Sequence, residues 1–246
     1  MPDGYVDEVA SRLSGIRARV AAAAEGAGRA SSEVDIMAVS KFHPLAAVEA
    51  AYRAGIRIFG ENRLQEAETK FADSPLFRSG IQLDMLGHLQ TNKINKALRL
   101  FSRIQSIDSC SLLEDLIRRA KSRDAGREGP LEILFELHTA EDSKSGFMSP
   151  GEIHDACRIM AQEGKDLALT LIPRGLMTMG PLTEDESAIR DAFGKTRRLF
   201  DEIRKIYLFP DFSVLSMGMS KDFEIAVEEG STLVRIGTAL FGERKG

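Results

Sequence analysis

Eight short β-rich runs alternate with longer helical patterns along almost the whole chain, and this alternation restricts the fold more than any other feature. The runs are 34–41 (VDIMAVSK), 57–61, 81–87, 103–109, 131–137, 167–173, 212–218 and 232–242. Helical patterns follow them over about 44–54, up to 70, 91–100 and 112–121. Three more are predicted: one opened by Ser149-Pro150, a long one after Thr183, and one capped by Ser220. Strict β/α alternation implies parallel strands with right-handed crossovers. Eight such units in 246 residues predict an α/β fold, a single (β/α)8 TIM barrel over 1–246. A doubly wound open sheet is the runner-up, because strand order is not readable from sequence. The last strand is expected to lack a helix. An amphipathic helix over about 6–25, with Val9, Leu13, Ile16 and Val20 on one side, is expected to cover the vacant flank.

Charge and composition narrow the partners. Lys plus Arg is 33 against 37 Asp plus Glu, a net charge of −4, so nothing global attracts phosphate backbones or anionic lipid. The basic run Arg118, Arg119, Lys121 and Arg123 reads as a solvated helix flank. No apolar stretch approaches a membrane span. Asp3, Asp7 and Glu8 precede any apolar run, the reverse of a secretory signal. The only cysteines, Cys110 and Cys157, have no paired spacing, and His43, His138 and His154 have no metal-ligand spacing. The expectation is a cytoplasmic protein with no disulfide, metal, nucleic-acid or membrane partner.

Unusual polar residues cluster where the strands finish: Lys41, Asn62, His88, Ser106 with Asp108, the loop from Glu141 to Ser145, Thr178, Ser216 and Gly237-Thr238. In a parallel barrel these ends share the rim on which active sites are built. Lys41 follows Met37 and Val39 at the two-residue period of a strand, which aims its amine into the barrel. Desolvation there disfavours the ammonium and favours a neutral nucleophile. The bland alternative is a strand-end lysine that reaches solvent or pairs with Glu61. SMGMSKD (216–222) and RIGT (235–238) place glycine-bearing turns where many barrels hold phosphate. Arg235, on the same side as Gly237, needs either a barrel carboxylate or an uncharged ring nitrogen of a ligand.

These residues carry a resemblance. AVSKFHP (38–44), FGENRLQEAETK (59–70), GHLQTNK (87–93), SIDS (106–109), EDSKSGF (141–147), GLMTMGP (175–181) and SMGMSKDFEIAVEEGSTLVRIGTALFGER (216–244) resemble the pyridoxal phosphate homeostasis proteins. That group is related to the barrel domain of alanine racemase. The resemblance implies pyridoxal 5′-phosphate (PLP) held as a Schiff base on Lys41, with Arg235 near the pyridine nitrogen. Ser216, the backbone of Met217, Gly237 and Thr238 would hold the phosphate, and Asn62 and His88 would lie near the cofactor. It also implies a role in vitamin B6 and amino-acid homeostasis, with PLP-requiring apo-enzymes as partners and a monomeric chain as the working expectation. Phe42 stands where the family usually has threonine, and is expected to point out of the barrel.

Carrier is favoured over enzyme. A two-base racemase needs an acid/base opposite the lysine, which related racemases take from an extra domain expected to be absent here. Tyr5, Tyr52 and Tyr207 are not expected on the rim. The alternative is a low-activity racemase using Lys41 with His88, Cys110 being a weaker substitute; a PLP-independent Schiff-base lyase is more distant.

Overall fold

The computed structural model describes residues 4–122, 129–139, 145–163 and 170–243. Eight parallel strands close in chain order: β1 (Asp35–Val39), β2 (Ile58–Glu61), β3 (Gln82–Met85), β4 (Arg103–Ile107), β5 (Leu131–Leu137), β6 (Leu171–Thr178), β7 (Val214–Ser216) and β8 (Leu233–Ile236). The surrounding helices are α1 (Gly4–Gly26), α2 (Leu45–Arg53), α3 (Leu64–Phe71), α4 (Pro75–Arg78), α5 (Ile94–Leu100), α6 (Cys110–Lys121), α7 (Pro150–Gln162), α8 (Glu186–Tyr207), α9 (Phe223–Glu228) and α10 (Thr238–Phe241). Closure is decided at β1: Met37 sits opposite Ile58 of β2 and opposite Arg235 of β8. The open-sheet alternative therefore falls.

The two-residue period sorts each strand into two cores. Ala38, Phe59 and Leu83 face outward and pack with the helices, while Met37, Val39 and Leu233 meet Ile58, Leu86 and Val214 inside the barrel. Gly60 makes room for the interior packing, since a Cβ there would lie 2.7 Å from both Met37 Sδ and Leu86 Cδ1. Below the future rim the interior is polar. Asp84 Oδ2 accepts from Gln105 Nε2 at 2.7 Å and from Arg103 at 3.4 Å, and Arg103 also pairs with Glu132. Burial pushes the Asp84 carboxyl up, against the pull of Arg103 and of the Gln105 and Gln82 amides.

α1 buries Val9, Leu13, Ile16 and Val20 against α2, α9 and α10, the flank expected for it. Three other expectations need correction. The last strand stops at Ile236 and turns at Gly237 into α10, so the eighth unit does have a helix, though a short one. A continuous apolar run does not distinguish strand from helix by period, which is why TLVRIGTALFG read as one strand. β6 runs through Pro173 to Thr178 instead of ending at the proline. Its register against β5 shifts between Ile133 and Leu134, the kind of bulge where a strand tolerates a missing N–H. Ser220 does not cap α9. Asp222 occupies the N-cap position without a side-chain capping bond, its carboxylate accepting the Met219 N–H of the preceding turn, while Ser220 Oγ accepts the Ala239 N–H of α10.

α4 was not anticipated, although Ser74 accepting the Leu76 N–H with Pro75 in the first turn is a legible start signal. Residues 141–144 of the charged loop, Arg123 of the basic run and 167–169 of the sixth β-rich run lie outside the described residues. Among the described residues, no helix is long and apolar enough to cross a membrane.

Candidate functional site

A cavity of about 720 Å³ opens at the C-terminal ends of the strands, within the usual range for a small-molecule site. Five of the eight predicted site residues line it: Lys41, Asn62, Arg235, Gly237 and Thr238. Val39, Leu86, Met177 and Met179 form apolar walls, and Ser220 and Lys221 stand beside Gly237-Thr238. Lys41 lies two residues past the end of β1 and continues the inward register of Met37 and Val39. Neighbouring Phe42 points out of the barrel as expected. Its ring is 51% exposed with the Arg63 guanidinium 5.5 Å above it. Gly87 brings the β3 end against Asn62, since a Cβ there would lie 2.2 Å from the Asn62 carbonyl oxygen.

Arg235 is the buried charge of the site. Its Nη1 donates to Ser216 Oγ at 2.7 Å and its Nη2 to the Thr178 carbonyl at 2.7 Å, both neutral acceptors. Ser216 passes the link on by donating to Gln105 Oε1 at 2.7 Å. Asp222 and Glu136 act on the guanidinium only at a distance, and burial pushes it down to about 10, so it remains charged at neutral pH. Among the described residues Arg235 makes no direct ion pair, so the carboxylate alternative for it is set aside.

Three predicted residues stand off the cavity. His88 is 63% exposed, its Nδ1 2.9 Å from Asp108 Oδ2. Ser216 lies beneath the floor, its hydroxyl engaged by Gln105 and Arg235. Met217 packs outward into the main core, and its N–H donates to Leu233. The sequence reasoning missed the Met177 and Met179 wall and Lys221, although GLMTMGP and SMGMSKD contain them.

Other singled-out groups serve local roles. His43, which also borders the cavity, meets Phe241 in a tilted ring contact with centroids 4.7 Å apart, and His154 contacts the Tyr207 hydroxyl at 3.2 Å and Glu202. Burial raises both Cys110 and Cys157. Arg118 pairs with Asp115 and Lys121 with Glu163, as on a solvated face. Tyr5, Tyr52 and Tyr207 sit on α1, α2 and α8, away from the cavity lining.

Comparison with known proteins places this geometry. The family model for the alanine racemase N-terminal domain matches residues 12–245. A pyridoxal phosphate homeostasis protein of Aquifex aeolicus is 33% identical over 95% of this chain and 97% of its own length. The structure of PipY from Synechococcus elongatus with PLP bound superposes with a TM-score of 0.77 at 33% identity, covering 95% of this chain and all of that one. Alanine racemase from E. faecalis shares the fold at a TM-score of 0.63 and 16% identity, this chain spanning 58% of that one. The barrel, its rim cavity and these full-length matches together make the chain a member of the pyridoxal phosphate homeostasis protein family.

Proposed function

We propose that this chain is a single-barrel PLP-binding protein of vitamin B6 and amino-acid homeostasis that carries the cofactor as a Schiff base on Lys41. The carrying observation is Arg235: a buried guanidinium held by two neutral acceptors and facing the same cavity as Lys41 on the adjacent strand end. A positive charge there suits an unprotonated ring nitrogen and opposes its protonation. The donor set fits the rest of the group. Lys41 would supply the amine, and Ser220, Lys221 and Thr238 with Gly237 would hold the phosphate, a role that moves from Ser216 to Ser220. Bound there, the cofactor supplies an aldehyde that condenses reversibly with a primary amine, forming C=N and releasing one water. Asn62 and the apolar Val39, Leu86 and Met177 would orient the ring and limit water.

The carrier reading is favoured over a racemase because no tyrosine lines the cavity, His88 stands off it, engaged with Asp108, and the one histidine of the described lining, His43, is held against the Phe241 ring. Release of PLP to apo-enzymes that require it belongs to the same proposal. Two lysines border the cavity, so the test is peptide mapping by mass spectrometry after incubation with PLP and borohydride reduction. The pyridoxyl group is expected on Lys41; its appearance on Lys221, or nowhere, overturns the reading. Sustained solvent-hydrogen exchange at the α-carbon of added amino acids would overturn the carrier half alone. His88→Ala removes only an exposed contact, worth about 0–1 kcal/mol, and is expected to change PLP affinity by less than about fivefold in a fluorescence titration.

A further inference from the structure

The segment FGENRLQEAETK contributes only Asn62 to the cavity, yet its charged residues converge on the turn that carries Lys41. Lys70 of α3 is nearly buried, its side chain 7% exposed, and its ammonium has three acceptors for three N–H groups. These are the Ser40 carbonyl at 2.8 Å, Glu61 Oε1 at 2.6 Å and Glu66 Oε1 at 3.1 Å. The same two carboxylate oxygens then reach the chain on either side of Lys41. Glu61 Oε1 accepts the Ser40 hydroxyl at 2.7 Å, and Glu66 Oε1 accepts the Phe42 N–H. Residues 40 and 42 are thus fastened to one buried ionic cluster, and residue 41 is the one between them.

The backbone explains why fastening is needed. Phe42 has φ +63°, the left-handed region that a bulky side chain enters at a cost of about 1–3 kcal/mol. Such a conformation persists only when its surroundings impose it. The Glu66 carboxylate imposes it by holding the Phe42 N–H in a charge-assisted bond. Glu61 is wholly buried with Oε2 unpartnered, a costly arrangement for a fold that only needed a salt bridge.

We propose that Glu66 and Lys70, with Glu61, are positioning residues for Lys41: the cluster outside the barrel fixes the 40–42 turn so that the Lys41 amine leaves β1 into the cavity. None of the three is proposed to touch the cofactor. The inference rests on Lys41 being the attachment point, as argued above. It predicts a split between covalent and non-covalent binding. Glu66 is partly exposed, so Glu66→Leu is the variant expected to fold, whereas Lys70→Met strands the buried Glu61.

The experiment compares two probes on wild type, Glu66→Leu and Glu66→Gln. PLP reports covalent attachment through its absorbance band, and pyridoxine 5′-phosphate, which has an alcohol in place of the aldehyde, reports non-covalent grip. Glu66→Leu is expected to lower the equilibrium constant for covalent attachment about tenfold, the effect of losing one hydrogen bond to a charged group. Its affinity for pyridoxine 5′-phosphate should stay within about twofold. Glu66→Gln, which still offers an oxygen to the Phe42 N–H, should recover most of the attachment. Unchanged attachment in Glu66→Leu, or equal loss with both probes, overturns the positioning role while a wild-type label on Lys41 leaves the carrier reading standing. A wild-type label on any other lysine overturns both.

Discussion

Lys41→Ala is expected to abolish the borohydride-stable pyridoxyl adduct and the associated absorbance band, the largest functional effect of any single substitution in this chain. No other described amine is placed to substitute. Lys70 lies close by in the fold, but its three N–H groups are taken by Ser40, Glu61 and Glu66 on the far side of the turn. Lys221 borders the cavity next to Ser220, where the anion is proposed to sit. Non-covalent binding should survive, because Arg235, Thr238 and Ser220 are untouched. Lys41→Arg places a long cationic side chain with no nucleophilic amine at the rim and should also give no adduct. Mass spectrometry of reduced, digested protein checks both variants.

Arg103→Met is expected to produce the largest loss of stability. The Arg103 side chain is 7% exposed and is the positive partner of fully buried Asp84 inside the barrel. Removing one member of a buried ion pair costs about 3–5 kcal/mol, which in a chain of this size lowers Tm by roughly 10 °C. The pH dependence distinguishes this cause from simple loss of packing. Burial already raises the Asp84 carboxyl above its ordinary value of 3.8, and losing Arg103 removes the main opposing influence. An acid raised in the folded state favours folding most when protonated and loses that advantage as pH rises through its folded value. The Tm deficit of Arg103→Met should therefore shrink as pH falls from neutrality toward 5. Arg103→Met combined with Asp84→Asn should recover most of the loss, since the neutral amide can still bond Gln105. Calorimetry across pH checks all three statements, and a deficit independent of pH would point to packing instead.

Much of the fold was legible because its signals are local. The period-two alternation of Met37, Val39 and Lys41 predicts their common direction, and the three- and four-residue spacing of Val9, Leu13, Ile16 and Val20 predicts the buried face of α1. Boundaries failed where two local rules competed. Pro173 reads as a strand end until the bulge opposite it is seen, and Ser220 reads as a cap although α9 begins only after Asp222. Of the residues expected at the site, Lys41, Asn62, Arg235, Gly237 and Thr238 line the cavity, at or near the ends of their strands. Ser216 and Met217 do not line the cavity: β7 ends at Ser216, and the turn after it reaches the lining only at Met219. His88 does not line it either, its Nδ1 engaged by Asp108 from the neighbouring strand end. The link Arg235–Ser216–Gln105–Asp84 was not readable at all: it joins four strands through single side-chain bonds, and no local pattern encodes partners so distant in sequence.

Joining the first strand to the eighth gives the protein a built-in test of completeness. Lys41 precedes Arg235 by most of the barrel's sequence, and the two become neighbours only when β8 docks beside β1. A nascent chain, or one truncated before β8, would own the amine but not the strand beside it that carries Arg235. On the function proposed above, cofactor capture would report a finished barrel, and a bound ligand would in turn latch the seam where the two ends of the sheet meet.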